Sequence, residues 1–269
     1  MSSDQPRGSL LRRAGFMLLV GLPGVIAVAA HTALATPATA IPPGLSRPLL
    51  AVSAIINSFI ILVPACLLGA YAAPKVGLRS YLLDRLRTGD PVWPRLRPEL
   101  RLAAILGIVG SIAIIAIDAA LAPFIAVDLP QSAVTATRPT YTDVLLFVPV
   151  RFLYGGITEE LLLRFGLMST IAFVGWYVTG RRSMGPSSTI MWGAIVVSAV
   201  LFGVGHLPAL AQQVGLTPLL IVRTILLNAI LGVAFGWLYW RRSLEAAMAA
   251  HVAAHVPLTL LALVQVALL

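Results

Sequence analysis

Apolar runs of roughly twenty residues recur along this chain, separated by short linkers rich in arginine, proline or glycine. A hydrocarbon core is about 30 Å thick and a helix rises about 1.5 Å per residue, so each run predicts a spanning helix. Seven are legible: Ala14 to Leu34, Leu49 to Ala73, Leu102 to Val127, Val144 to Val178, Thr189 to His206, Pro218 to Trp240 and Leu244 to Leu268. The fourth is too long for one simple span, and Gly155-Gly156 or Phe165-Gly166 is expected to interrupt it. The pattern predicts an all-α polytopic transmembrane helix bundle, a single domain over residues 1–269, without internal repeats or low-complexity tracts.

Composition agrees with this. The 269 residues are 59% hydrophobic and only 11% charged, where a soluble domain usually carries about 25%. The net charge of +9 does not indicate nucleic acid, because the basic residues sit in the linkers. With the N-terminus inside, fourteen fall on the inner side: Arg7, Arg12 and Arg13; Lys75, Arg79, Arg85, Arg87, Arg95, Arg97 and Arg101; Arg181 and Arg182; Arg241 and Arg242. Only Arg47 and Arg138 fall outside. This asymmetry predicts an N-in, C-out protein of the bacterial cytoplasmic membrane. Cleavage of the first run as a signal peptide after Ala33-Leu34-Ala35 leaves every later orientation unchanged. The loop from Pro74 to Arg101 reads as an ordinary positive-inside linker, with contact to anionic headgroups through Trp93, Leu82 and Leu83 as the alternative. The single cysteine, Cys66, excludes a disulfide framework within the chain.

Against this background Thr158-Glu159-Glu160-Leu161-Leu162-Leu163-Arg164 stands out, with two carboxylates and a guanidinium inside an apolar run. A charge at mid-membrane costs roughly 2.5–3.5 kcal/mol on insertion scales, so a functional role is the default. Glu160 and Arg164 are spaced i, i+4 with the acid first, the favourable order for a pair. Glu159 points about 100° away and is free to face another partner, as a general base requires. A paired ion cluster that only fixes helix packing is the competing reading.

Three of the four histidines fall in two later spans. Phe202 and His206 are one turn apart, and His251 and His255 share a helical face. An i, i+4 histidine pair can present two nitrogens to one metal or one water, although Val252 stands where a zincin has its glutamate. His31 has no companion and reads as interfacial. Asp118, Arg151, Arg223 and Asn228 also lie within spans. Depth raises a problem: His251 is about 12 Å into its span and His206 about 26 Å into its own, so straight helices would not bring them together.

Glu159-Glu160-x-x-x-Arg164, Phe202-x-x-x-His206 and His251-x-x-x-His255, in this order on separate helices, resemble the CPBP family. That family comprises the type II CAAX prenyl endopeptidases and the bacteriocin-processing and Abi-type membrane proteins. The resemblance covers the half of the chain from about residue 143 to 269. It implies intramembrane hydrolysis of a peptide bond in a peptide or membrane-protein substrate. Glu159 would activate the water. His206 and His251 would bind that water or a metal and stabilise the oxyanion, with Glu160 and Arg164 as orienting members. Either a zinc ion held by His206, His251, His255 and a glutamate, or a metal-independent glutamate mechanism, is compatible with the motifs. Two departures are visible: His255 replaces the family's usual Asn or Asp, and Arg164-Phe165-Gly166 replaces Arg-Gly. A non-catalytic scaffold or immunity protein is the alternative from another class. A proton-coupled transporter using Glu159 and Asp118 finds no repeat symmetry to support it. Nothing in the chain specifies its oligomeric state.

Overall fold

A computed structural model describes residues 7–126, 140–180 and 184–268. Arg138, Arg181 and Arg182, counted above in the charge asymmetry, lie outside these residues. The described chain is helical without strands: α1 (Arg7–Ala35), α2 (Arg47–Ala72), α3 (Tyr81–Thr88), α4 (Trp93–Ala126), α5 (Tyr141–Val178), α6 (Ser188–Gly205), α7 (Leu207–Gln213), α8 (Pro218–Arg241) and α9 (Leu244–Leu268). Seven helices are long and apolar enough to cross a membrane, and the chain is an integral membrane protein. Outward-facing Val52, Ile56, Ile60, Val109 and Ile112 remain exposed, as expected where lipid is the solvent.

The bundle is arranged around α5, which packs against α1, α2, α6, α8 and α9. This helix runs unbroken over 38 residues, about 57 Å at the ordinary α rise and far beyond one hydrocarbon core. The expected interruption takes another form. Val150–Thr158 and Leu161–Met168 wind as π-helix around the two glutamates, so both glycine-bearing positions fall in wide turns and not at a break. Glu159 N–H bonds to the Tyr154 carbonyl and Ser169 N–H to the Arg164 carbonyl, each five residues back. A wider turn rises less per residue, which shortens the helix. Such turns also re-aim the side chains that follow them.

The linker from Pro74 to Arg101 is anchored to protein. Ser80 donates to Glu245 Oε1 at 2.7 Å, and the Tyr81 and Leu82 amides donate to the same carboxylate at 3.0 Å each. Glu245, near the start of α9, therefore caps α3 from across the bundle, supplying acceptors that a helix N-terminus lacks. The Tyr81 hydroxyl donates to Glu99 (2.7 Å), which also accepts from Ser243 (2.6 Å). Burial, together with the Glu99 carboxylate, pushes the Tyr81 phenol above its ordinary range. Leu82 and Leu83 are half-buried while Trp93 is exposed, so only the tryptophan of that trio is open to a surface. The Leu244 amide donates to the Arg79 carbonyl. The turn between α8 and α9 therefore shares one end of the bundle with the linker and the start of α1.

Glu245→Ala leaves Ser80 and two backbone amides without their acceptor. It should lower stability by about 2 kcal/mol, read as a lower thermal unfolding midpoint in detergent. Asp84→Ala, removing the half-exposed pair between α3 and Arg95 of α4, should cost no more than about 1 kcal/mol.

Candidate active site

Four helices supply the polar cluster. The α-helical residues Glu159 and Glu160 lie between the two π-helical stretches of α5. His251 and His255 come from α9, Phe202 and His206 from the end of α6, and Phe235 with Gly232 from α8. Glu160 and Arg164 are fully buried, and their charges meet as the i, i+4 spacing predicts. Arg164 Nη1 stands 3.0 Å from Glu160 Oε1, an ion contact and not an aligned hydrogen bond. Arg164 Nη2 donates to the Gly232 carbonyl at 3.0 Å. A Cβ on Gly232 would lie 2.8 Å from the Cβ of Ala199 and 3.2 Å from Arg164 Nη2, so a glycine lets α8 approach both α6 and the guanidinium. The Arg164 guanidinium also lies 5.0 Å from the ring centroid of Phe202 and 5.4 Å from that of Phe235.

His251 is the hub. Its Nδ1 lies 2.8 Å from Glu160 Oε1 and its Nε2 lies 3.9 Å from Glu159 Oε2. A carboxylate accepts, so Nδ1–H donates to Glu160, fixing the ring and turning Nε2 toward Glu159. Phe235 stacks on the imidazole at 4.6 Å and His255 lies against it at 4.9 Å. The Glu159 side chain keeps 18% of its exposure, whereas Glu160 has none. Of the two carboxylates, Glu159 is the one a water can reach.

The other histidines are placed differently. The Phe202 ring stands between His206 and His251, 4.8 Å from the first and 5.8 Å from the second. The depth offset read from the sequence is thus filled by an aromatic ring. His206 Nδ1 donates to the Phe202 carbonyl at 2.9 Å, since a carbonyl can only accept. Both nitrogens of His255 are buried without a hydrogen-bond partner, as are Glu160 Oε2 and Arg164 Nε. Native proteins rarely leave such atoms unsatisfied, and their concentration here makes this cluster the candidate site. A Cβ on Gly155 would come 2.5 Å from His255 Nε2, so the bare backbone of α5 makes room for that imidazole.

The donor set does not fit a zinc ion held by His206, His251 and His255. Among the described residues, no group of three or more His, Cys, Asp or Glu side chains is placed to hold a metal. Imidazoles bind through in-plane lone pairs, and those of His251 and His255 run nearly parallel, with rings inclined by only 22°. The Nδ1 atoms of His251 and His206 are bonded to Glu160 and Phe202, which leaves Nε2 as the free nitrogen of each ring.

The remaining in-span charged and amide residues make contacts of their own. Asp118 and Arg223 form a two-pronged ion pair between α4 and α8. Arg151 donates weakly to Thr259 (3.4 Å), and Asn228 bonds back to its own helix at Thr224. His31, expected to lack a companion, packs 5.0 Å from the Phe147 ring. Phe235 and Gly232 were not singled out from the sequence. The signal was there in Gly232-x-x-x-Gly236, the small-residue spacing that lets membrane helices close together.

The family described as type II CAAX prenyl endopeptidase Rce1-like has a model that matches residues 141–256, a segment holding every side chain of the cluster. No curated protein and no solved structure matches the chain.

Arg164→Met should destabilise the protein by roughly 3–5 kcal/mol, the cost of leaving a buried charge without its partner. The double variant Glu160→Gln/Arg164→Met should recover part of that loss. Unfolding midpoints in detergent measure both, and equal midpoints for the single variant and the unaltered protein would contradict the pairing.

Proposed function

We propose, from the match of residues 141–256 to the Rce1-like type II CAAX prenyl endopeptidase family, that this chain is a membrane-embedded endopeptidase in which Glu159 activates the attacking water. The observation that carries this reading is the 3.9 Å gap between Glu159 Oε2 and His251 Nε2. Its imidazole side is held in place by Glu160, and its carboxylate side remains accessible. A polar contact of this length suits a bridging water better than a direct bond.

In the proposed reaction, a water beside this gap gives a proton to Glu159 as its oxygen attacks the scissile carbonyl carbon. The C–O bond forms, the C–N bond then breaks, and Glu159 returns the proton to the leaving amine nitrogen. His251 orients the water through Nε2. Glu160 and Arg164 act through His251 and are positioning residues. His255, buried beside the hub with unused nitrogens, is placed to hydrogen-bond the peptide or the developing oxyanion. No step is routed through a metal. The arginine distribution further supports an N-in, C-out orientation in a bacterial cytoplasmic membrane, with a peptide or membrane-protein substrate.

Glu159→Gln should slow cleavage of a farnesylated CAAX peptide, or of a transmembrane peptide if the first is not cut, by about 10²–10⁴-fold. Its elution profile and unfolding midpoint should match those of the parent protein. Full activity in this variant would sink the mechanism, and failure of the parent protein to cut either peptide would favour the non-catalytic scaffold. Dialysis against a strong chelator should leave cleavage unchanged, and a loss restored by added zinc would establish a metal path instead.

A further inference from the structure

At the end of the bundle where α1 begins, α1, the close of α2, α3 and the start of α4 enclose a cavity of about 450 Å³. Five arginines line it, Arg12, Arg13, Arg79, Arg87 and Arg95, against one carboxylate, Asp84. Asp84 is committed to Arg95 at 2.8 Å and lies 3.8 Å from Arg87, so among the described residues of the lining guanidiniums outnumber carboxylates. Cations facing one concave space repel each other and raise the local concentration of anions.

Apart from Ser80 and the Tyr239 hydroxyl, the rest of the wall is apolar. Leu78, Phe165 and Tyr239 are buried residues that line the same cavity. An occupant therefore meets guanidinium forks on one side and hydrocarbon on the other. The forks match the oxygens of a phosphate group, and a water occupies only about 30 Å³, so a phosphate ester with its glycerol fits. The cavity lies where the spans of α1 and α4 start and those of α2 and α8 end, the level at which headgroups are expected beside spanning helices. Basic pockets between membrane helices at this depth suit anionic lipids.

We propose that this cavity is a binding site for a phosphate-bearing anion, with the phosphodiester headgroup of an anionic phospholipid as its occupant. This site is separate from the Glu159 cluster and does not depend on the activity proposed for it.

Native mass spectrometry of the full chain in neutral detergent tests the assignment, with phosphatidylglycerol or phosphatidylcholine added at equal concentration. The protein should retain phosphatidylglycerol preferentially. Arg12→Gln/Arg79→Gln should lower that retention about thirtyfold, from the typical effect of two basic residues near a headgroup. Arg97→Gln/Arg101→Gln, exposed on α4 and outside the cavity lining, should not. Arg12→Gln alone replaces the first double variant if that elutes as aggregate. Displacement of the lipid by inorganic phosphate would identify free phosphate as a second source of the same ligand chemistry. Equal retention of both lipids by the unaltered protein, or equal losses in the two double variants, overturns the proposal.

Discussion

A buried carboxylate cannot stand alone in a membrane protein, and Glu160 does not. Its Oε1 takes an ion contact from Arg164 and a hydrogen bond from His251. Each partner then requires something of another helix. Arg164 needs the Gly232 carbonyl, so α8 must come close, and that position must lack a side chain. His251 needs a flat apolar surface on which to rest, and Phe235 of α8 provides it. His255 follows one turn later and needs the space left by Gly155. One unsupported charge thereby determines how α5, α8 and α9 meet.

Lipid makes this dependence stronger than it would be in water. Hydrocarbon tails compete evenly for apolar side chains, so helix association in a bilayer relies on close packing and polar contacts. The interior supplies both around the same residues. Gly232 and Gly236 bring α8 against Ala199 and Ile195 of α6, while the Glu160–Arg164–His251 cluster ties α5 to α8 and α9. Less than two turns before His251, Glu245 ties the start of α9 to α3. The last helix is thus pinned by two glutamates, one beneath the proposed catalytic gap and one at the bundle's end.

Much of this was legible before any coordinates. The seven spans followed from apolar run length, and the Glu160–Arg164 contact followed from i, i+4 spacing with the acid first. The pairing of Glu160 with Arg164, leaving Glu159 to face another partner, followed from a 100° helical offset; in the structure Glu160 is fully buried and Glu159 keeps 18% of its exposure. What could not be read arose from contacts between helices distant in sequence. Glu245 looks like an ordinary acidic start to a helix, and only the folded chain brings it within 3.0 Å of the amides at residues 81 and 82. The π winding was hidden for a different reason: hydrophobic pattern reports which face is buried and not how many residues complete a turn. Gly155-Gly156 and Phe165-Gly166 marked the places where α winding gives way, but glycine alone does not distinguish a break from a wide turn.

That winding bears on how the two ends of α5 are connected. Arg164 is inside the polar cluster, and its neighbour Phe165 lines the arginine-rich cavity. Both lie in the second π-helical stretch, whose turns differ in register from the α segments on either side. Ser169, at the end of the stretch, takes up the Arg164 carbonyl through both its amide and its hydroxyl, the latter also 3.3 Å from the Tyr239 hydroxyl. Tyr239 is in turn a wall of the cavity. A shift in the winding of this stretch would move Arg164 and Phe165 together, because they share one backbone segment. The cluster and the cavity are therefore two faces of a single helical element, and the bonds at Ser169 and Gly232 restrain both.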